Sequence, residues 1–200
     1  MPSLKFAALI AGLLLVTCQA RPVAAQANVK QITPYGEMNP NSPNELKVFS
    51  FLIGKWQGTA RVKLDGGKFA EVPVSWIGRY ILDGTAIEDE FHSTAPGGSP
   101  YLGISLRQYD TKRKTWIIEY LNVSNSFLRR QVNGESGSVA VDGPTVTVIS
   151  GARDSMSREH YRVVDRDNFV YRLDASKDGG SSWNEGQLEI PLHRTQARGK

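Results

Sequence analysis

From residue 56 onward, apolar side chains recur at every second position, in short segments that are separated by turn-forming residues. In the first segment, Trp56, Ala60 and Val62 alternate with polar residues such as Gln57 and Arg61. A period of two is typical of a β-strand with one buried face. Similar segments lie at residues 71–76, 85–92, 101–109, 115–123, 127–133, 139–149, 158–164, 169–174 and 187–193. About ten short strands predict an all-β barrel or sandwich, and we favour a closed antiparallel barrel because closure removes exposed strand edges.

One short helix is predicted immediately before these strands, over residues 43–53. Ser42 and Glu45 form a capping box around Pro43, and Gly54 provides the stop signal. Three apolar residues of this segment fall on one helical face, namely Leu46, Phe49 and Ile53. The sequence therefore predicts a single N-terminal helix that caps the barrel.

The N-terminus has the features of an export signal. Lys5 supplies a positive charge, residues 6–16 are apolar, and small residues around positions 23–27 offer a cleavage site. The apolar run is shorter than the roughly 20 residues that a helix needs to span a bilayer. We expect residues 1–27 to be removed and the mature protein to be periplasmic or extracellular. Residues 28–42 then form an extended arm or linker, residues 43–195 the barrel, and residues 196–200 a basic tail.

The only cysteine, Cys18, lies within the predicted signal. The sequence around it loosely resembles the lipobox of bacterial lipoproteins, so a lipid anchor on Cys18 is the alternative to ordinary cleavage. With cleavage further downstream, the mature protein has no cysteine, and this excludes disulfides and thiolate chemistry.

Charge argues against a nucleic-acid partner. The chain has 24 basic and 20 acidic residues, and removal of Lys5 and Arg21 with the signal leaves 22 against 20. Nucleic-acid-binding proteins concentrate basic residues on one face, which such a balanced domain does not predict. No second apolar stretch is long enough for a transmembrane helix.

The last predicted strand suggests how the barrel closes. Leu188, Ile190 and Leu192 share a face that Arg194 continues, and the inner face of the first strand carries Trp56. The first and last strands of a closed meander are neighbours. We therefore expect Arg194 to lie over the Trp56 ring as a cation–π contact, within about 6 Å.

The sequence around Gly54-x-Trp56-x-Gly58, together with an arginine near the end of the last strand, resembles the calycin superfamily of lipocalins and fatty-acid-binding proteins. Further segments resemble a bacterial family of unknown function that is related to nitrobindin; these are residues 51–56, 82–85, 107–110 followed by Trp116, and 176–180. The resemblance covers about residues 44–195. It implies a barrel whose internal cavity holds a small apolar or planar ligand.

Members related to nitrobindin hold haem through a histidine late in the chain, and only His193 is late enough here. By strand parity His193 falls with Gln187 and Glu189 on the polar face, unless a bulge at Pro191 reverses the parity. We therefore expect no cofactor, and haem through His193 is the disfavoured alternative. His92 and His160 lie far apart in sequence, so no metal site is predicted.

Asp89 is the most informative carboxylate, because it falls between Ile87 and Phe91 on the inner face, where an unpaired charge is costly. It is a candidate ligand anchor or a general base with a raised pKa. Alternatively, it is a structural partner of a neighbouring arginine or tyrosine.

The candidate ligand-binding residues are Trp76, Asp89, Tyr120, Asn122, Tyr161 and Tyr171. They suit a partly polar pocket, and they equally suit a filled barrel whose tyrosine hydroxyls are satisfied. Both faces of residues 115–123 are apolar, so parity does not show which face points inward. The pattern of Ser176, Asp178, Gly180 and Trp183 matches the Asp-box hairpin, which we interpret as a structural turn.

The predicted function is binding of a small hydrophobic or amphipathic ligand by an exported barrel, without catalysis. One alternative is a barrel enzyme of the isomerase or hydrolase type that uses Asp89 and interior tyrosines. Another is a barrel that docks a partner in the cell envelope and holds no ligand. An interior cavity is compatible with the first two, whereas a filled interior leaves only the last.

Overall fold

The computed structural model describes residues 34–94, 96–98, 100–122, 129–132 and 138–196. Eleven antiparallel strands form one sheet that curls into a nearly closed barrel. The strands are β1 (Gly54–Lys63), β2 (Phe69–Ile81), β3 (Ala86–Thr94), β4 (Pro100–Asp110), β5 (Thr115–Asn122), β6 (Arg129–Val132), β7 (Ser138–Asp142), β8 (Thr145–Ala152), β9 (Ser155–Asp165), β10 (Asn168–Ser176) and β11 (Asn184–Gln196).

Consecutive strands are neighbours from β1 to β6 and from β7 to β11, and β1 pairs with β11. The strands at the two edges of the sheet are β6 and β7. The predicted all-β barrel is confirmed, although it is nearly closed rather than fully closed. The segment predicted as one strand over residues 139–149 is two strands, because the chain turns at Gly143 with a φ of 53°.

The predicted capping helix is present but is a 3-10 helix, over Asn44–Leu52. Its apolar residues Leu46, Phe49 and Leu52 are all 0% exposed. Their spacing of three places them on one side of a helix with three residues per turn. Within the described part of the chain no helix is long and apolar enough to cross a membrane.

The predicted capping box is wrong. No side chain caps the helix, and the Ser42 hydroxyl instead donates a hydrogen bond of 3.0 Å to the carbonyl of Gly84. The β2–β3 turn competes successfully for Ser42 because residues 34–42 run alongside it. The backbone N–H of Asn39 donates to Gly84 at 3.0 Å, and that of Tyr80 donates to Tyr35 at 2.8 Å.

Only part of the segment predicted as an arm lies within the described residues. From residue 34 onward it is held against the β2–β3 hairpin, and Tyr35 and Met38 pack on the core. A Cβ at Gly84, which has a φ of +77°, would lie 2.1 Å from the carbonyl oxygen of Glu37, so this approach requires glycine. The predicted signal at residues 1–27 lies outside the described residues, as do residues 28–33 and 197–200.

Arg194 and Trp56 are paired in the register of β1 and β11. The Arg194 guanidinium carbon lies 3.9 Å from the Trp56 ring centroid, as the strand parity predicts. Arg194 Nη1 donates to the carbonyl of Ile53 at 2.6 Å, and Trp56 Nε1 donates to that of Leu52 at 2.9 Å. The two side chains therefore fasten the end of the helix to β1 and β11, the first and last strands of the barrel.

The Asp-box sequence forms the turn between β10 and β11. The Asp178 carboxylate accepts from the Ser176 hydroxyl at 2.8 Å and from the Ser182 backbone N–H at 2.9 Å. Gly180 has a φ of +83°, and the Trp183 ring lies against it. These contacts are those of a structural hairpin.

Candidate ligand-binding site

The barrel encloses a cavity of about 530 Å³, which lies beyond the helix that closes one end. Strands β1 to β5 and β8 to β11 contribute its walls. Six aromatic side chains line it, namely Trp76, Phe91, Tyr101, Tyr120, Tyr161 and Tyr171. Aliphatic residues of β1, β2, β5, β8, β10 and β11 and small hydroxyl residues complete the lining. Such a mixture of apolar walls and few polar groups is typical of a small-molecule site.

A buried ion pair between Asp89 on β3 and Arg107 on β4 lies at the helix end of this cavity. Their side chains are 1% and 2% exposed. The other carboxylate oxygen of Asp89 accepts a hydrogen bond of 2.8 Å from Trp76 Nε1. The Arg107 guanidinium carbon lies 5.0 Å from the ring centroid of Phe49 in the helix. Both oxygens of Asp89 are therefore engaged, and its charge is neutralised.

Arg107 connects this pair to the opposite wall. Its Nη2 donates to the Tyr161 hydroxyl on β9 at 3.1 Å, and that hydroxyl donates to Glu159 Oε2 at 2.5 Å. A continuous chain of polar contacts thus runs from Trp76 through Asp89, Arg107 and Tyr161 to Glu159. One positive charge lies between two carboxyl groups along this chain.

Glu159 is enclosed by protein, yet part of its side chain is accessible because it borders the cavity. Burial raises the pKa of Glu159 above its ordinary value of 4.5, although the hydrogen bond from Tyr161 and the charge of Arg107 act in the opposite direction. Burial also raises the pKa of Tyr161, and the neighbouring Glu159 charge adds to the effect. Both groups therefore favour their neutral forms more than they do in water.

A second polar contact lies on the walls formed by β4 and β5. The hydroxyls of Tyr101 and Tyr120 are 2.8 Å apart. A Cβ at Gly103 would lie 2.5 Å from the Tyr120 hydroxyl and 2.9 Å from its ring, so glycine at this position makes room for Tyr120. Asn122 does not line the cavity, and its side-chain amide donates to the Tyr120 hydroxyl at 3.5 Å.

The structure brings five of the six predicted ligand-binding residues together around one cavity: Trp76, Asp89, Tyr120, Tyr161 and Tyr171. The sequence interpretation missed Arg107 and Glu159. Glu159 is two positions before Tyr161 and therefore lies on the same inward face of the strand. The alternation of side chains along a strand is sufficient to predict this. Arg107 lies on the inner face of β4, in the segment quoted for the family resemblance.

Apart from the two atoms that form the Asp89–Arg107 ion pair, two buried nitrogen atoms at the cavity have no hydrogen-bond partner among the described residues, Arg107 Nε and Gln187 Nε2. A buried polar group without a partner costs about 1–3 kcal/mol. A ligand or water that satisfies these groups removes this cost.

The outer surface carries a larger but shallow groove of about 1040 Å³, bordered by β1, β2, β3, β9, β10 and β11. Its described lining residues include His92 and His193 and no aspartate, glutamate, lysine or arginine. We consider the internal cavity the better candidate site, because it is enclosed and contains buried polar groups.

The residues present do not fit a haem iron held through His193. This residue is exposed on the outer face and pairs with Gln57 and Asn168 of the neighbouring strands. Among the described residues that line the cavity there is no histidine, cysteine or methionine. Within the described residues, no group of three or more histidine, cysteine, aspartate or glutamate side chains is placed to hold a metal ion.

No protein-family model and no curated protein matches this chain. Among solved structures, the crystal structure of Rv2717c from M. tuberculosis is similar, with 17% identity and a TM-score of 0.52, over 78% of this chain and 100% of that one. The S-type phycobiliprotein lyase CPES from Guillardia theta matches with 11% identity and a TM-score of 0.45, over 76% of this chain and 92% of that one. At such identities the first likeness concerns the fold alone, and the second is too distant to carry an argument. The architecture fits a calycin-like barrel.

Proposed function

We propose that this protein binds a small amphipathic ligand inside its barrel. The observation that carries the proposal is the enclosed cavity of about 530 Å³, in which aromatic walls meet buried polar groups with unused hydrogen-bonding capacity. Ligand pockets typically measure roughly 300–1,000 Å³ and combine apolar walls with a few polar groups. Protein interiors otherwise contain few voids larger than a water molecule. The interior is therefore better suited to holding a ligand than to forming a side-chain-filled core.

The same contacts argue against Asp89 as a catalytic base. A general base needs a free lone pair within reach of its substrate. One oxygen of Asp89 accepts from Trp76, the other faces Arg107, and the side chain is only 1% exposed. Binding thus has better support than catalysis through Asp89.

Export remains part of the proposal. A signal at residues 1–27 would place ligand binding in the periplasm or outside the cell, with a lipid anchor on Cys18 as the alternative. Terminal sequencing and mass measurement of the protein from its own host distinguish a chain that begins near residue 28 from one that begins at a lipidated Cys18.

The neutral fluorescent dye N-phenyl-1-naphthylamine tests the binding proposal. We expect saturable binding at one site per chain. Leu173 points into the cavity, so Leu173→Trp fills part of it and should weaken binding by about tenfold or more, equivalent to about 1.4 kcal/mol.

Val170 on the same strand supplies the matched control, because it lines the outer groove. Val170→Trp should leave dye affinity unchanged, and unfolding curves should show that both variants are folded. Absence of saturable binding, or loss caused only by Val170→Trp, contradicts a ligand site inside the barrel.

A further inference from the structure

The charges of the cavity restrict the ligand further, and this inference rests on the proposed binding function. Among the described residues, three charged side chains line the cavity: Asp89, Arg107 and Glu159. With Glu159 ionised, they carry one excess negative charge. A bound molecule must be compatible with this balance, because charge interactions are strong where water is excluded.

An anionic head group is poorly matched to this lining. Among the described residues of the lining the only cation is Arg107, which already pairs with Asp89, and the two side chains are 2% and 1% exposed. An anion would have to displace Asp89 from its partner and would also lie near Glu159. Breaking a buried pair leaves an uncompensated charge, which costs several kcal/mol.

Glu159 is the charged group that a ligand reaches most easily. It is the most accessible of the three, and it borders the cavity between Val148 and Leu173, its neighbours on the adjacent strands. Its Oε2 accepts from the Tyr161 hydroxyl. Its other oxygen has no hydrogen-bond partner among the described residues. Arg107 reaches Glu159 only through Tyr161, so no cation in the described part of the chain pairs with this carboxyl group directly.

The aromatic walls favour the same kind of ligand. Trp76 and Tyr171 have ring centroids 5.3 Å apart, and Tyr161 and Tyr171 have theirs 5.1 Å apart. The faces of such rings attract cations. Apolar walls with a carboxyl group that pairs with no described cation therefore complement an apolar body with a positive head.

The geometry points to a ligand that carries a cationic nitrogen, such as an ammonium or amidinium group, on an aromatic or aliphatic body. The cationic nitrogen donates to the free oxygen of Glu159, and the body packs against the aromatic and aliphatic walls of the cavity. Burial keeps the pKa of Glu159 raised in the empty cavity, and a cation beside it stabilises the ionised form. Binding of the ammonium therefore neutralises the excess charge that burial disfavours.

Three probes with one ring system test this inference: 1-naphthylmethylamine, 1-naphthalenemethanol and 1-naphthoate. Their affinities for the full chain can be compared by calorimetry at neutral pH. A hydrogen bond between two ionised groups is stronger than one donated by a neutral hydroxyl, so we expect the amine to bind at least about tenfold more tightly than the alcohol. The carboxylate should bind most weakly. This comparison uses the unmodified protein and does not depend on the folding of any variant.

The variant Glu159→Gln tests whether the carboxyl group of Glu159 causes the preference for the amine. It should abolish the preference for the amine over the alcohol. The matched control is Glu189→Gln, which removes a carboxylate from the exposed outer face of β11 and should preserve the preference.

The outcomes separate this inference from the proposed function. If the alcohol binds and the amine is not preferred, or if Glu159→Gln retains the preference, the cationic ligand is wrong while the binding site stands. If the carboxylate binds most tightly, Arg107 rather than Glu159 selects the ligand and the inference is overturned. If none of the three probes binds, both the inference and the proposed function fail.

Discussion

Asp89 and Arg107 form an ion pair that is sealed inside the barrel, on the neighbouring strands β3 and β4. A buried pair of this kind contributes little compared with apolar residues of the same volume, because desolvation of the two charges offsets their attraction. Loss of one partner is far more costly, because the other charge stays buried without compensation. The pair therefore affects the stability of the fold mainly because the loss of either partner is costly.

We predict that Asp89→Asn lowers the free energy of unfolding by about 3–5 kcal/mol, because Arg107 is left as an unpaired buried cation. The double substitution Asp89→Leu with Arg107→Met should recover most of this loss. Urea unfolding of the single and double variants measures both effects. A single variant that loses less than about 1 kcal/mol would falsify the assignment of a sealed ion pair.

Even the replacement of Arg194 by lysine should destabilise the protein. Its Nη1 donates to the Ile53 carbonyl at 2.6 Å, its Nε donates to Asp167 at 3.1 Å, and its guanidinium carbon lies 3.9 Å from the Trp56 ring centroid. One ammonium group cannot make these contacts together. We expect Arg194→Lys to lower the free energy of unfolding by about 2 kcal/mol, as measured by urea unfolding.

Asp167→Asn is the control for this substitution, because Asp167 is 59% exposed and its ion pair with Arg194 is at the surface. Its effect should remain below about 1 kcal/mol. If the two variants are equally destabilised, the surface ion pair rather than the contacts with the helix end and Trp56 explains the role of Arg194.

The environment of Asp174 predicts how the stability of the protein depends on pH. Its side chain is 0% exposed but lies near the surface, because the side chains of Arg158 and Arg172 that cover it are 22% and 36% exposed. Burial alone would raise the pKa of Asp174. Hydrogen bonds from Arg172, Arg158 and the Gly186 N–H outweigh burial and hold the pKa well below its ordinary value of 3.8.

A carboxyl group whose pKa is lowered by folding stabilises the protein above its unfolded pKa, and this contribution is lost as pH falls toward the folded value. Asp174→Asn should therefore lower the free energy of unfolding by about 2 kcal/mol at pH 7. The difference from the wild type should shrink as pH falls below 3.8. Urea unfolding between pH 7 and the lowest pH at which the protein remains folded measures this trend.

Asp154→Asn, in the exposed turn between β8 and β9, is the matched control and should have little effect at any pH. A difference between Asp174→Asn and the wild type that stays constant across this range would mean that the charge of Asp174 is not what stabilises the fold.

Sequence patterns were sufficient to predict the order of the strands and many of the residues on their inner faces. Alternation is a local property, so Trp76 and Asp89 were placed inside the barrel from the sequence of their own strands. The contact between Trp56 and Arg194 was also predictable, because closure of a meander makes the first and last strands neighbours. The helix was predicted in position but not in type or cap, since the partner of Ser42 is Gly84, which is far along the chain.

By itself, the sequence determined a barrel of short antiparallel strands with a helix at one end, because period-two alternation and turn residues act over a few positions. The tertiary structure decided which face of β5 points inward, since both faces are apolar and only packing distinguishes them. It also decided that the interior is a cavity rather than a filled core. That outcome depends on how side chains of different strands are placed around one space: Asp89 with Arg107, Arg107 with Tyr161, and Tyr120 with the room beside Gly103.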